Sequence, residues 1–266
     1  MGVLRYIAVA LASLALGQDA WASAWNPEPG HGEMVAGYVF IEADEAIGDR
    51  GETIRLDTYT KRMTQNYATV GLTPRLAVIG TFDWQEGQIV QPGLDLTFSD
   101  PSSITAGLQY QISRREGHAA AIAVSYVAGI DLPNALITVE NRRASLEARG
   151  MWGESQTWRG RNLFAEAQLA GRVRLSGGYD SAHAQLTIGL DQTERLTLFG
   201  KGRFADIAPG EFRRIPVARQ TRWEAETGAV YRFRKNDFIE LSLTSVLGGR
   251  STVLERELKI GYWRKF

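Results

Sequence analysis

The strongest constraint on this chain is a period-two alternation of apolar and charged residues. It recurs in segments of about ten residues along most of the sequence. The clearest segment is 254–266, in which Leu258 and Ile260 alternate with Glu257 and Lys259. Because successive side chains of a β-strand point to opposite faces, each such segment presents one apolar face and one charged face. The chain is therefore predicted to be all-β.

The alternation predicts about twelve strands, an even number that places both chain ends on the same side of a closed barrel. The predicted strands are 33–42, 55–72, 75–86, 103–114, 118–129, 142–154, 161–174, 179–191, 195–207, 218–234, 236–247 and 252–266. Short turns are predicted at 73–74, 115–117, 192–194 and 235–236, and longer loops at 43–54, 87–102, 130–141, 208–217 and 248–251. The alternation is least regular over 142–154, but this strand is needed to make the strand count even.

Residues 1–24 have the organisation of a secretory signal peptide. Arg5 precedes the apolar run 6–16, and an Ala-x-Ala cleavage pattern ends at Ala24, so the mature chain is expected to begin at Trp25. No later stretch reaches the roughly 18 apolar residues of a transmembrane helix. An exported chain of this kind is periplasmic, secreted or an outer-membrane barrel.

A water-soluble sandwich would show the same alternation with its apolar face turned inward. The export signal, the carboxy-terminal Phe266 and the aromatic residues near strand ends favour a barrel, since such residues form girdles at the membrane interfaces. These aromatic residues are Tyr38, Phe40, Trp84, Trp152, Trp223, Tyr231, Phe233, Tyr262 and Trp263. The prediction is a transmembrane antiparallel up-and-down β-barrel of about 12 strands, residues 25–266, in the bacterial outer membrane.

The charged faces are predicted to line the lumen, because a charge facing hydrocarbon costs roughly 2–4 kcal/mol near the bilayer midplane. The candidates are Glu147, Arg149, Glu166, Arg172, Arg174, Lys201, Arg203, Arg222, Glu224, Glu226, Arg232, Glu240, Glu255, Glu257 and Lys259. They indicate either a polar pore for small polar solutes or a lumen filled by ion pairs. Pairing about the 235–236 turn is expected to bring Arg232 near Glu240.

Composition argues against several other functions. The 30 basic and 30 acidic residues balance, so no basic field favours nucleic acid, and the absence of cysteine removes thiol chemistry. His31, His118 and His183 are far apart, so no metal site and no cofactor are expected. The acidic stretch from Asp44 to Glu52 is interpreted as a solvated loop.

Lipid hydrolysis is the enzymatic alternative, because Ser181 and His183 share one strand face. A nucleophile and its base also need a third group, for which Asp191 or Glu166 would be available. No catalytic residue is assigned. A structural or adhesive barrel acting through its loops is the remaining alternative.

The last strand, with Tyr262 and the terminal Phe266, resembles the end of outer-membrane proteins recognised by the barrel-assembly machinery. The stretch 24–32 (Ala-Trp-Asn-Pro-Glu-Pro-Gly-His-Gly) and the turn 71–76 (Gly-Leu-Thr-Pro-Arg-Leu) resemble XagA-like barrels, some of which sit beside exopolysaccharide genes. This resemblance implies an outer-membrane barrel in contact with membrane lipid and lipopolysaccharide. It also implies a polysaccharide as a possible cargo, and it transfers no catalytic residues.

Deleting Phe266, or replacing it with Asp, should leave the protein in the periplasm, where it is degraded, because the assembly machinery would not recognise its last strand. Outer-membrane fractions probed with an antibody measure the loss. Normal amounts of the truncated chain in that fraction would contradict the assembly signal.

Overall fold

The computed structural model of the chain describes residues 23–91, 94–128, 144–175, 180–212, 215–217 and 219–266. The predicted signal peptide falls almost entirely in residues 1–22, outside the described residues. In the described part of the chain, no helix is long and apolar enough to span a membrane.

Twelve long antiparallel strands form one sheet, as the alternation predicts. They are β1 (Gly32–Ile47), β2 (Thr53–Gly71), β3 (Leu76–Gln91), β4 (Leu94–Arg115), β5 (His118–Ala128), β6 (Ser145–Trp158), β7 (Arg161–Arg174), β8 (Ser181–Asp191), β9 (Leu196–Ile207), β12 (Gln220–Arg232), β13 (Asp237–Arg250) and β15 (Arg256–Lys265). Three short strands lie between them: β10 (Gly210–Phe212) pairs with β11 (Ile215–Val217), and β14 (Thr252–Val253) extends the sheet beside β1.

The sheet closes into a barrel because the first and last long strands pair. Gly37 of β1 lies opposite Gly261 of β15 on one side and opposite Gln65 of β2 on the other. Every long strand pairs with its neighbours in sequence, which is the up-and-down topology. Closure leaves no long strand at an open edge, as a lipid environment requires. The predicted barrel fold is confirmed.

The exposed outside of this barrel is rich in apolar side chains, and most of the predicted lumen charges lie on its inside. Leu169 and Leu243 are 69% and 58% exposed, whereas Glu240 is completely buried. A water-soluble sandwich would have the opposite distribution. The outside is therefore a surface suited to hydrocarbon, and the sandwich alternative is excluded.

The short turns and the two chain ends gather at one end of the barrel, which we call the turn end. Its described connections are 72–75, 116–117, 159–160, 192–195 and 233–236. Gly32 exchanges backbone hydrogen bonds with Phe266 there, at 2.9 and 3.0 Å. The opposite end, the loop end, carries the other connections. The predicted loop at 130–141 lies outside the described residues, whereas the strand predicted over 142–154 is present as β6.

The predicted loops at 43–54 and 87–102 are wrong, because β1 to β4 continue through most of these residues. The outward side of β1 changes there from the aromatic Tyr38 and Phe40 to the exposed Glu42 and Asp44, whereas the inward Ala43 and Ala46 are buried. Strands of 16–22 residues exceed the roughly 9–11 residues that span a bilayer. The ends of these strands therefore stand in water, where the buried side must be apolar.

Most of the aromatic residues predicted for the girdles lie on the outside. Tyr38, Phe40, Trp84 and Trp223 are among the exposed aromatic side chains. Trp263 is the exception, because its indole Nε1 donates to Glu240 inside the barrel at 2.9 Å. Its girdle assignment is wrong, since it falls on the inward position of β15.

The fold allows the orientation of the barrel to be tested, because the chain has no cysteine background. Arg50 is exposed between β1 and β2 at the loop end, and Lys235 is exposed at the turn end. With the turn end in the periplasm, Arg50→Cys should react with an impermeant maleimide on whole cells, and Lys235→Cys should react only after lysis. The reverse pattern would contradict this orientation.

Candidate functional site

The predicted lumen residues lie on inward-facing strand positions. Nine of them, together with Lys61 of β2, form what we call the charged wall, on one side of the lumen. The sequence analysis did not single out Lys61. Its members are Lys61, Lys201, Arg203, Arg222, Glu224, Glu226, Glu240, Glu255, Glu257 and Lys259. Side chains that the alternation placed on five different strands thus lie together on one side of the lumen.

Arg222 is the centre of the charged wall. Its side chain is 3% exposed, and its Nη1 lies 2.6 Å from Glu255 Oε2 while its Nη2 lies 3.3 Å from Glu257 Oε1. Its Nε contacts Glu224. Glu255 also accepts a hydrogen bond from Tyr59 and lies 3.6 Å from Lys61 Nζ. A fully desolvated cation is thereby surrounded by three carboxylates.

The charged wall continues toward the turn end through alternating signs. Arg203 pairs with Glu224 at 2.9 Å and also with Glu226, which in turn pairs with Lys201 at 3.3 Å. Farther along the wall, Lys259 pairs with Glu240 at 3.4 Å. Five cations face five carboxylates, so the wall carries no net charge. Buried charges require such pairing because each one loses its hydration.

A second, smaller network lies on β6 and β7. Glu147 forms ion pairs with Arg149 at 2.9 Å and with Arg172 at 2.7 Å. Arg149 also donates a hydrogen bond to Gln168. Glu147 and Arg172 are direct cross-strand neighbours in the register of these strands.

Arg232 does not approach Glu240 as expected. The turn 233–236 pairs Arg232 with Phe238 and Val230 with Glu240. Arg232 instead donates to the backbone oxygen of Glu194 at the turn end. The predicted pairing was wrong because the turn contains more residues than the two assumed for it.

An N-terminal segment, residues 23–31, folds back into the lumen from the turn end. Ala24 is buried beside the inward-facing Ala119, Ala121 and Ala123 of β5, and Trp25 packs against the same cluster. A Cβ at Gly153 would lie 2.3 Å from the Trp25 ring, so only glycine leaves room for it there. The sequence signal for this segment was the run of small inward residues on β5, where other strands carry charges.

Two glutamines of β4 hold the N-terminal segment by hydrogen bonds. Gln111 Oε1 accepts the Asn26 backbone N–H at 2.8 Å, and Gln109 Nε2 donates to Asn26 Oδ1 at 2.8 Å. Arg114 Nη1 donates to the Asn26 backbone oxygen at 3.1 Å. At its other end, Ser23 Oγ donates to Glu166 of β7 at 2.8 Å. The segment therefore lies along the inner face of β5 and β6, between β4 and β7.

A cavity of about 370 Å³ remains between the N-terminal segment and the charged wall. We call it the lumen cavity. Members of the charged wall and Gln185, Thr187 and His183 supply its polar lining. Phe164, Phe199, Phe238, Val230 and Trp263 supply an apolar lining that sequence reasoning did not select. The inward position of Phe199 was visible in the alternation, and Lys201 Nζ lies 4.8 Å from its ring centre.

The lumen cavity adjoins a second, more open pocket at the turn end, which we call the entrance. Thr197, Val230, Phe238 and Lys265 line both spaces. The entrance is lined by five cations (Arg159, Arg161, Arg195, Arg232 and Lys265) and two carboxylates (Asp191 and Glu194). Unlike the charged wall, the entrance therefore has an excess of positive charge.

The Ser181 and His183 pair is present, with 3.0 Å between Ser181 Oγ and His183 Nε2. The two carboxylates considered as a third group bind elsewhere. Asp191 accepts from Thr197 and Asn162, and Glu166 accepts from Ser23. Neither orients the imidazole for nucleophilic catalysis.

The described residues contain no group of three or more His, Asp or Glu side chains arranged to hold a metal ion. The acidic residues of the predicted 43–54 loop are dispersed instead. Asp44 pairs with Arg256 at 3.0 Å, and Glu52 accepts the Arg50 backbone N–H.

Solved structures with the same architecture are bacterial outer-membrane β-barrels. The COG4313 outer membrane channel from Pseudomonas putida F1 matches 94% of this chain and 100% of its own, with a TM-score of 0.65 and 15% identity. The translocator domain of the autotransporter NalP from Neisseria meningitidis matches 90% of both chains, with a TM-score of 0.56 and 10% identity. The NanC porin matches 88% of this chain and 100% of its own, with a TM-score of 0.51 and 7% identity.

At these identities the likeness shows the fold alone. No protein-family model matches the sequence, and no curated protein matches it significantly. The chain therefore has the outer-membrane barrel fold.

The burial of Arg222 predicts a large loss of stability when it is removed. Arg222→Ala leaves Glu224, Glu255 and Glu257 desolvated without their shared cation, and should lower the free energy of unfolding by about 3–5 kcal/mol. Denaturant unfolding of the reconstituted barrel, followed by tryptophan fluorescence, measures the change.

Arg219→Ala is the matched control. Arg219 pairs with Asp206, but its side chain is 58% exposed, so water replaces the lost partner. Its unfolding midpoint should stay near that of the wild type. Equal midpoints for the two variants would show that the charged wall is not desolvated.

Proposed function

We propose that this protein is an outer-membrane channel for small polar solutes, with a preference for anions. The lumen cavity and its positive entrance carry this proposal. A barrel interior filled only for structural reasons packs to the density of other protein interiors and leaves few voids larger than a water molecule. A cavity of about 370 Å³ falls instead within the range of ligand pockets, roughly 300–1,000 Å³.

The two faces of the lumen cavity support a small solute with a polar side and an apolar side. The charged wall offers hydrogen-bond donors and acceptors, and Phe164, Phe238 and Trp263 offer flat apolar surfaces. Selectivity in such a channel comes from the charge and width of its lining. Because the charged wall is neutral overall, the entrance supplies the charge preference.

Two of the structural neighbours are named as a channel and a porin, which supports a pore. The resemblance to XagA-like barrels raises envelope polysaccharide as a cargo. We favour small solutes, because the N-terminal segment and the charged wall together leave a cavity of ligand size. Export by residues 1–24, assembly through Phe266 and contact with outer-membrane lipid and lipopolysaccharide belong to the same proposal.

We propose no enzymatic activity. The Ser181–His183 hydrogen bond is the one observation that favours a hydrolase. It is outweighed by the engagement of Asp191 and Glu166 with other partners.

The charge of the entrance should determine ion selectivity. Arg232 faces the entrance, so Arg232→Glu removes one positive charge, adds a negative one and should shift the reversal potential in a salt gradient toward cations. Arg234→Glu makes the same charge change two residues away. Arg234 lies on the exposed turn beside the Phe233 ring and does not line the entrance, so its effect should be smaller.

Planar-bilayer recordings of purified wild-type protein and both variants provide the measurement. Identical shifts for the two variants would mean that the entrance is not on the ion path. Wild-type protein that passes neither current nor small sugars would overturn the channel proposal and leave a lumen filled by ion pairs.

A further inference from the structure

We propose that Glu166 is the binding site for the α-ammonium group that removal of the signal peptide creates at Trp25. This inference goes beyond channel function and rests on the proposed cleavage after Ala24. Hydrolysis of the Ala24–Trp25 peptide bond consumes one water and yields a carboxylate on Ala24 and an ammonium on Trp25. The Trp25 nitrogen lies close to the Glu166 carboxylate inside the lumen, and the proposal is based on this proximity.

A single oxygen atom, Ser23 Oγ, connects the Trp25 backbone nitrogen with the Glu166 carboxylate by hydrogen bonds. The Trp25 backbone N–H donates to Ser23 Oγ at 3.3 Å, and the same oxygen donates to Glu166 Oε1 at 2.8 Å. Ser23 is therefore a bridge between the two groups. Cleavage after Ala24 removes the bridge and leaves the new ammonium facing the carboxylate across the vacated space.

Glu166 needs a replacement partner after cleavage. In the uncleaved chain it accepts from the Ser23 hydroxyl and from the Ala24 backbone N–H, and both donors leave with the signal peptide. Lys201 is the nearby cation that acts on Glu166, but its ion pair is with Glu226. A carboxylate in a partly desolvated lumen without a donor is costly, and an ammonium with three N–H groups satisfies it.

The rest of the N-terminal segment stays in place after cleavage. The Trp25 ring packs over Gly153, and Asn26 keeps its hydrogen bonds to Gln109, Gln111 and Arg114. These contacts fix the position of the Trp25 nitrogen without help from residues 23 and 24. The mature amino terminus is thereby held beside the lumen cavity, where it narrows the channel.

The test uses mature protein purified from outer membranes and starts with its amino-terminal sequence, which should begin at Trp25. An amine-acylating reagent is then applied, and mass spectrometry follows acylation of the amino-terminal peptide over time. Only a neutral amine reacts, and an adjacent opposite charge shifts the protonation equilibrium by about one pKa unit or more. Acylation of the wild type should therefore be about tenfold slower than acylation of Glu166→Gln.

Glu154→Gln is the matched control, because Glu154 is an exposed turn-end carboxylate that pairs with His118 at 2.9 Å. It should acylate at the wild-type rate. A mature chain that begins elsewhere would overturn the proposal, and so would equal rates for wild type and Glu166→Gln. Neither result bears on conductance, so the channel proposal is judged separately by the bilayer recordings.

Discussion

The hydrogen-bond ladder between β1 and β15 is the interaction on which the rest of the molecule depends. Hydrocarbon offers no partner to a backbone N–H or C=O group, so a sheet in lipid must close. Ten residue pairs, from Glu33–Lys265 to Glu42–Arg256, make that closure. Once the ring is closed, each strand has one side toward lipid and one toward a shared interior. Within the bilayer, charged side chains then have only the interior available to them.

The charged side chains of the interior form ion pairs, so the charged wall has no net charge. Burying Arg222 among Glu224, Glu255 and Glu257 is tolerable because attraction offsets the lost hydration. A neutral charged wall gives little preference between anions and cations. In the channel that we propose, the charge preference comes from the entrance, where the exposed Arg159, Arg161 and Arg195 outnumber the two carboxylates. In that proposal, the charged wall provides stability and the entrance provides ion selectivity.

The strand count, the inward charges and the closed topology could be predicted from the alternation, because lipid on one side forces a strict period of two. The prediction was wrong for the strand segments that extend beyond the bilayer, where this constraint no longer applies. Beyond the bilayer the outward side of β1 becomes acidic while its inward side stays apolar, so Ala43 and Ala46 continue the strand where a loop was expected. The alternation also could not predict contacts between segments that are distant in sequence. Alternation assigns Gln109 and Gln111 to the lumen, but only the folded chain shows that they bind Asn26.

The proposed signal-peptide cleavage would create the chain's new amino terminus inside the lumen, in the N-terminal segment. Strand β5 carries alanines at inward positions, and β6 carries Gly153, so this side of the barrel lacks the volume to fill itself. Trp25 and Asn26, which precede the first strand, fill that volume. A barrel whose packing is completed by its own amino terminus has a cavity of defined size only when that terminus is seated. Residues 25–31 thus occupy the part of the lumen that the small inward residues of β5 and β6 leave unfilled.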